Sequence, residues 1–225
     1  GSEMCIRDRI STVGTPVKGT AYFIIQDSKG VIWIATKGDG LIRAEATSPS
    51  GMSYKLTRYL HQEDDMYSLS DNNVYCVYED HNGRIWAATF AGGINYLTEN
   101  KNGKVLFINH RNHLKGYPID PCYKARFITS DNNGRLWVGT TTGAVAFDEN
   151  FEKPEDVQFY HFSRMPNATQ SLSNNDVHWI IPTTDKELYL ATFGGGLNKL
   201  ISISEDGHGA VSYTHLRAHE TGAYL

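Results

Sequence analysis

The chain reads as an all-β protein made of four copies of one antiparallel, four-stranded unit, and three observations carry that reading. Nearly the same sentence occurs four times: DSKGVIWIATKGDGLI (Asp27–Ile42), DHNGRIWAATFAGGINYL (Asp80–Leu97), DNNGRLWVGTTTGAVAF (Asp131–Phe147) and TTDKELYLATFGGGLNKL (Thr183–Leu200). Trp33, Trp86, Trp137 and Tyr189 hold the same place in each copy, 53, 51 and 52 residues apart. Every copy consists of short β-branched and aromatic runs broken by Gly, Asn and Asp, the pattern of strands and turns. A fixed period near fifty residues marks a repeat architecture and governs how the rest is read.

The elements follow in the same order in each copy. First comes an apolar run, TAYFIIQD, NVYCVYED, KARFITSD or DVHWIIPT, read as a strand. The turns DSKG, DHNG and DNNG come next; Asp and Asn bond to nearby backbone and Gly supplies the positive φ. A second strand follows (VIWIAT, RIWAAT, RLWVGT, ELYLAT), then a glycine-rich turn (KGDG, FAGG, TTG, FGGG) and a third strand (LIRAE, INYLT, AVAFD, LNKLI). A more variable connection carries the fourth strand, as in SYKLTRYL, KVLFINH and VQFYHF. Four strands per unit with no convincing helix predict β-propeller blades, spanning approximately 18–60, 61–110, 111–162 and 163–210. Blades pack face to face, so the repeated aromatic is expected to fill the wedge between neighbours, burying about 150–250 Å² per ring. The FGGGL stretch is not a phosphate cradle, because a strand follows it where such a cradle needs a helix N-terminus.

Both ends are expected to be foreign to the protein. MCIRDR (Met4–Arg9) and VSYTHL (Val211–Leu216) can be encoded by DNA strings that are reverse complements over their shared length, the pattern of a transposon-end sequencing adapter. Residues 1–9 and 211–225 are therefore read as adapter-derived, 10–210 as an internal piece of a longer protein, and Cys5, His215 and His219 as without function. The net charge is −4, with no basic stripe, which argues against nucleic acid or an anionic membrane as partner. No apolar run approaches the ~20 residues of a membrane span. Cys76 and Cys122 sit at different places in their repeats. They show neither a repeated disulfide framework nor a metal spacing, and read as small buried hydrophobes or inert surface thiols.

SLSDNNVYCVYEDHNGRIWAATFAGGINYL (Ser68–Leu97) and SLSNNDVHWIIPTTDKELYLATFGGGLNKL (Ser171–Leu200) resemble the two-component regulator propeller repeat. That repeat runs Leu-Ser-x-Asn-x-Val, then Ile, Glu-Asp-x-x-Gly-x-Ile-Trp-x-Gly-Thr and Gly-Gly-Gly-Leu. The fourth copy departs from it, with Thr183 for the turn Asp and Tyr189 for Trp. The third lacks the SLSxN approach and has NHRNHLKGYPIDPCYKA (Asn109–Ala125) instead. The resemblance implies a seven-bladed ring of which four blades are an arc, in the periplasmic sensor region of a membrane-bound, Bacteroidetes-like hybrid histidine kinase. It further implies oligosaccharide signals, an Ig-like domain, a membrane helix, cytoplasmic kinase and regulator modules, and a homodimeric receptor.

Eleven residues before the repeated aromatic stand Tyr22, Tyr75, Arg126 and His178. A guanidinium and an imidazole are costly between packed blades and make sense at a mouth of the ring, where such residues recognise sugars by stacking and hydrogen bonds; bonding to adjacent blades is the alternative. Arg111, His113 and Tyr117 in the unusual third entry loop are further candidate ligand contacts, the alternative being drift in a surface loop. His110 and His113 are read as surface histidines rather than a metal pair, and Glu63–Asp65 as a solvated loop. No metal or other cofactor is expected. The sequon at Asn167 is uninformative. No nucleophile elbow, His-Glu-x-x-His or isolated carboxylate pair stands out. The expected function is non-catalytic ligand sensing; the alternatives are a propeller enzyme of the glycoside hydrolase or lyase type and a plain protein-interaction propeller.

Overall fold

The structure, a computed structural model, describes residues 11–13, 17–49, 53–168, 171–203 and 212–216. The N-terminal stretch 1–9, residue 211 and residues 217–225, all read above as adapter-derived, lie outside these. Four sheets result. The first holds β1 (Ser11–Val13), β2 (Thr20–Gln26), β3 (Ile32–Lys37), β4 (Leu41–Ala46) and β5 (Ser53–Tyr59). The second holds β6 (Val74–Glu79), β7 (Ile85–Thr89), β8 (Gly93–Glu99) and β9 (Val105–Asn109). The third holds β10 (Ala125–Ser130), β11 (Arg135–Thr140), β12 (Gly143–Asp148) and β13 (Tyr160–Phe162). The fourth holds β14 (Val177–Pro182), β15 (Leu188–Thr192), β16 (Gly196–Ser202) and β17 (Ser212–Leu216). The last strand lies inside the stretch read as adapter-derived and pairs antiparallel with β16. Within each sheet the four repeat strands lie side by side in chain order, and β1 adds a short parallel edge to β5. That extra edge was not foreseen from the repeat. The first strands of successive repeats, β2, β6, β10 and β14, pack one on the next. One helical turn, α1 (Ile119–Cys122), sits in the third entry loop, against the expectation of no helix. Among the described residues no helix is long and apolar enough to cross a membrane.

The repeated aromatic and the repeated turn prove to be one hydrogen-bonded unit. Trp86 and Trp137 are fully buried and Trp33 is 4% exposed. Each indole N–H reaches back six residues to the turn aspartate: Trp33 to Asp27 at 2.8 Å, Trp86 to Asp80 at 2.8 Å and Trp137 to Asp131 at 2.9 Å. The other carboxylate oxygen accepts two amides of its own turn, as Asp80 does from Asn82 and Arg84 at 2.9 Å each. In the fourth repeat both ends change together. The Thr183 hydroxyl accepts one amide, that of Glu187, and the Tyr189 hydroxyl donates to the Glu187 carboxylate.

The SLS approach is a clasp. Leu69 and Leu172 are buried, and the following serines close onto the third strand. The Ser70 amide donates to Asn95 and the Ser173 amide to Asn198, while the hydroxyls meet Thr89 and Thr192. The third repeat replaces this clasp with buried Leu114 and Tyr117. Buried polar groups paired in this way fix a loop's register as well as its position.

On the face where the first strands end, neighbouring blades are joined by a carboxylate that arrives from different places. At the first junction Ser28 donates its amide and hydroxyl to Glu79, at the end of β6. At the second junction the position of Ser28 is taken by His81, and that of Glu79 by Ser130. The carboxylate there is Glu149, which leaves β12, is 1% exposed, and meets both His81 and Ser130. The third junction uses an amide instead, Asn132 donating to the Thr183 carbonyl.

Cys76 and Cys122 are both buried and unpaired, so of the two readings the sequence allowed, the buried one holds. Burial pushes the Cys76 thiol up to about 12 and raises that of Cys122 as well. A thiol held protonated is a poor nucleophile. Alkylation of the native protein at pH 8 is therefore expected to leave both unmodified, with complete labelling in denaturant; peptide mapping by mass spectrometry checks this.

Candidate functional site

The four residues singled out by alignment share a structural cause. Pairing between first and second strands slips once in every sheet, between Ala21 and Phe23, Val74 and Cys76, Ala125 and Phe127, and Val177 and Trp179. The extra residues are Tyr22, Tyr75, Arg126 and His178. A bulge leaves one residue outside the ladder and re-aims its side chain, so each blade delivers one side chain out of the pleat at the same height.

These four side chains form a continuous strip together with residues from neighbouring turns. Tyr22 and Tyr75 lie with ring centroids 4.7 Å apart, and Tyr75 stacks on Phe90 at 5.0 Å. Lys124 and Arg126 stand 5.1 and 5.9 Å over the Phe90 ring. Arg126 pairs with Asp176 at 3.1 Å, which also lies 3.4 Å from His178. His178 stacks on Phe193 at 5.6 Å. The strip is open to solvent: Tyr22 is 40% and Phe193 70% exposed. Burial and the neighbouring Tyr22 hydroxyl raise the Tyr75 phenol above its ordinary value, so it stays a neutral donor at any physiological pH. Aromatic faces, a guanidinium, an ammonium and a carboxylate along one wall can grip a polar ring by its flat face and its edge at once.

Phe90, Lys124, Asp176 and Phe193 were missed from the sequence, although the alignment held a signal for them. Phe90 and Phe193 fall in one column with Lys37 and Thr141, and Lys124 and Asp176 fall in another with Thr20 and Asn73. Both columns are variable where structural columns are constant.

The other three candidates lie elsewhere. Tyr117 has no surface to offer a ligand and is corrected to a structural residue. It is 3% exposed, its hydroxyl donates to the Cys122 carbonyl at 2.8 Å, and burial raises its phenol well above the usual range. Arg111 pins the second entry loop, donating to the Glu63 carbonyl at 3.3 Å and lying 3.2 Å from His61. His113 contacts Glu155 and lies 3.1 Å from the Tyr67 hydroxyl. His110 is half buried and held by burial below the usual histidine range. Among the described residues no group of three or more His, Cys, Asp or Glu is placed to hold a metal ion.

Residues 68–91 match the sequence profile of the two component regulator propeller. No curated protein matches the chain. Among solved structures it is similar to the extracellular domain of the hybrid two component system BT3049 from B. thetaiotaomicron. The TM-score is 0.61 at 22% identity, covering 85% of this chain and 22% of that one. It is also similar to PorZ, a surface component of the type-IX secretion system of Porphyromonas gingivalis (TM-score 0.63, 15% identity, 94% and 28% coverage). A third similar structure is virginiamycin B lyase from Staphylococcus aureus (TM-score 0.56, 16% identity, 91% and 58% coverage). The chain thus spans less than two thirds of each of these proteins, and at such identities what is shared is the fold. The four sheets are blades of a β-propeller, and the chain carries the two component regulator propeller repeat.

Proposed function

We propose that this chain is part of the extracytoplasmic, periplasmic sensor propeller of a membrane-bound two-component regulator, and that it binds an oligosaccharide along the strip at the blade mouths. The observation that carries the reading is the strip itself: one bulged side chain from each of four blades, joined by Phe90, Lys124, Asp176 and Phe193. The repeat match and the likeness to an extracellular domain of a hybrid two component system support the sensor setting. In this reading the strip binds without transforming its ligand. Further blades of the same chain complete the ring, and two sensor chains pair to pass the signal to a cytoplasmic histidine kinase. The ligand acts by favouring one packing of the two chains over another, which requires different affinities for the two.

Isothermal titration of the protein against oligosaccharides released from plant and host polysaccharides tests the site. Arg126→Ala and Tyr75→Ala are each expected to weaken binding at least ~10-fold, equivalent to about 1.4 kcal/mol, whereas Arg111→Ala leaves it unchanged. Binding indifferent to both strip variants overturns the assignment of the site. Accumulation of cleaved product overturns the non-catalytic reading in favour of a propeller enzyme.

A further inference from the structure

On the face opposite the strip, the first and second sheets leave a groove of ≈ 220 Å³ between them. Its walls include Val31, Trp33 and Arg43 from the first blade and Ile85, Leu97 and Val105 from the second. The next junction shows what such a groove holds. Arg43, Tyr96 and Ala146 lie opposite Trp33, Trp86 and Trp137 in their sheets, which sets the correspondence between blades. Five residues beyond these positions, the third sheet has Phe151 and the second has Lys101.

Phe151 fills the second junction. Its ring lies 4.1 Å from the Arg84 guanidinium carbon, with the Trp86 and Tyr96 rings 6.3 and 5.9 Å away. Its carbonyl accepts from Arg84 at 3.0 Å. In the second sheet the same stretch is a tight turn, with Asn100 and Lys104 bonded across it, and Lys101 is exposed. Among the described residues no side chain fills the place beside Trp33 that Phe151 fills beside Trp86. Arg43 leans over the Trp33 ring at 5.8 Å, its guanidinium paired with Glu45 at 2.9 Å. A cavity of about 150 Å³ is enough to hold a benzene ring.

We infer that this groove is a docking site for one aromatic side chain carried on an extended peptide segment of a partner. The ring enters between Trp33 and Leu97, where Val31 stands in place of Arg84 and Arg43 in place of Tyr96, and repeats between molecules the aromatic plug that Phe151 forms within the chain. The groove lies on the far face from the strip, so occupancy of one leaves the other open, and the inference does not depend on the sugar reading.

The probe is the chain's own plug, the capped hexapeptide Asp-Glu-Asn-Phe-Glu-Lys with the sequence of residues 148–153, titrated into the whole protein. The readout is the indole N–H resonance of each tryptophan. Trp33 is expected to shift saturably with a Kd on the order of 1 mM or tighter, with Trp86 and Trp137 unmoved. Replacing the peptide's Phe by Ala is expected to weaken the effect at least ~10-fold. Val105→Trp, which narrows the groove, is expected to do the same from the protein side. No shift of Trp33 up to about 10 mM peptide, equal shifts from both peptides, or a shift at Trp86 through displacement of Phe151 each overturn the inference.

Discussion

Asp80→Ala is expected to cost the protein about 3–5 kcal/mol of stability, which for a chain of this length lowers Tm by roughly 6–20 °C. The carboxylate is 4% exposed and takes the Trp86 indole, the Asn82 and Arg84 amides, and the Arg84 guanidinium at 3.4 Å. Its removal strands an indole N–H beside a ring that has no contact with water, and frees the turn that sets the first strand against the second. An unsatisfied buried donor alone costs about 1–3 kcal/mol. The fourth repeat supplies the control. Thr183→Ala loses the Glu187 amide's bond to the hydroxyl and the hydroxyl's long bond to the Glu187 carbonyl at 3.4 Å, and is expected to cost about 1 kcal/mol. Urea denaturation followed by circular dichroism measures both. An Asp80→Ala protein within about 1 kcal/mol of the parent would show that the ring holds its place by packing alone.

The second large effect concerns association. Ile24 is 63% exposed, whereas its counterparts Val77, Ile128 and Ile180 are buried to 1% or less. In the fourth blade the reverse face is open, with Trp179 45% and Ile181 49% exposed, while Cys76 and Phe127 at the position of Trp179 are buried. The first blade thus offers the face that meets a preceding blade, and the fourth offers the face that meets a following one. Exposed blade faces seek partners, and closure is how propellers escape that liability. The protein is expected to self-associate at tens of micromolar, and Ile24→Lys with Trp179→Lys to weaken association about 100-fold or more, since each large apolar side chain contributes about 1.5–3 kcal/mol when buried. Sedimentation equilibrium decides. A cooperatively melting monomer, unchanged by either substitution, would point to an arc that closes on itself.

Much of this architecture was legible in the chain because the repeat is physical as well as textual. A buried ring, a turn aspartate and a glycine with positive φ recur where packing admits little else, and the alignment located three of the four strands in every blade. The fourth strand was harder, since the outer edge of a blade is half exposed and tolerates drift; β17 falls beyond the repeat as read. The strip was half legible. Tyr22, Tyr75, Arg126 and His178 stood out by being polar or bulky in an apolar run, yet the bulge that aims them is a property of pairing between strands and leaves no mark on either strand alone. Tyr117 misled for the opposite reason. An aromatic in a loop looks available, and only the chain folding over it shows that the loop has its own small core.

The carboxylate that joins blade to blade has a consequence for how such a chain could be rearranged. Ser28 fits a blade whose first strand ends in glutamate; His81 fits one whose third strand ends in a glutamate that folds beneath it. A chimera that exchanged the second and third units would set Ser28 against Ser130, where the acid is Glu149 instead of a residue of the first strand, and would bring Glu79 against Asn132 in place of the serine that binds it. The units are therefore not interchangeable bricks. Each lower edge works as an address that names its successor, and the order of the blades is written into the protein chemically as well as by the covalent chain.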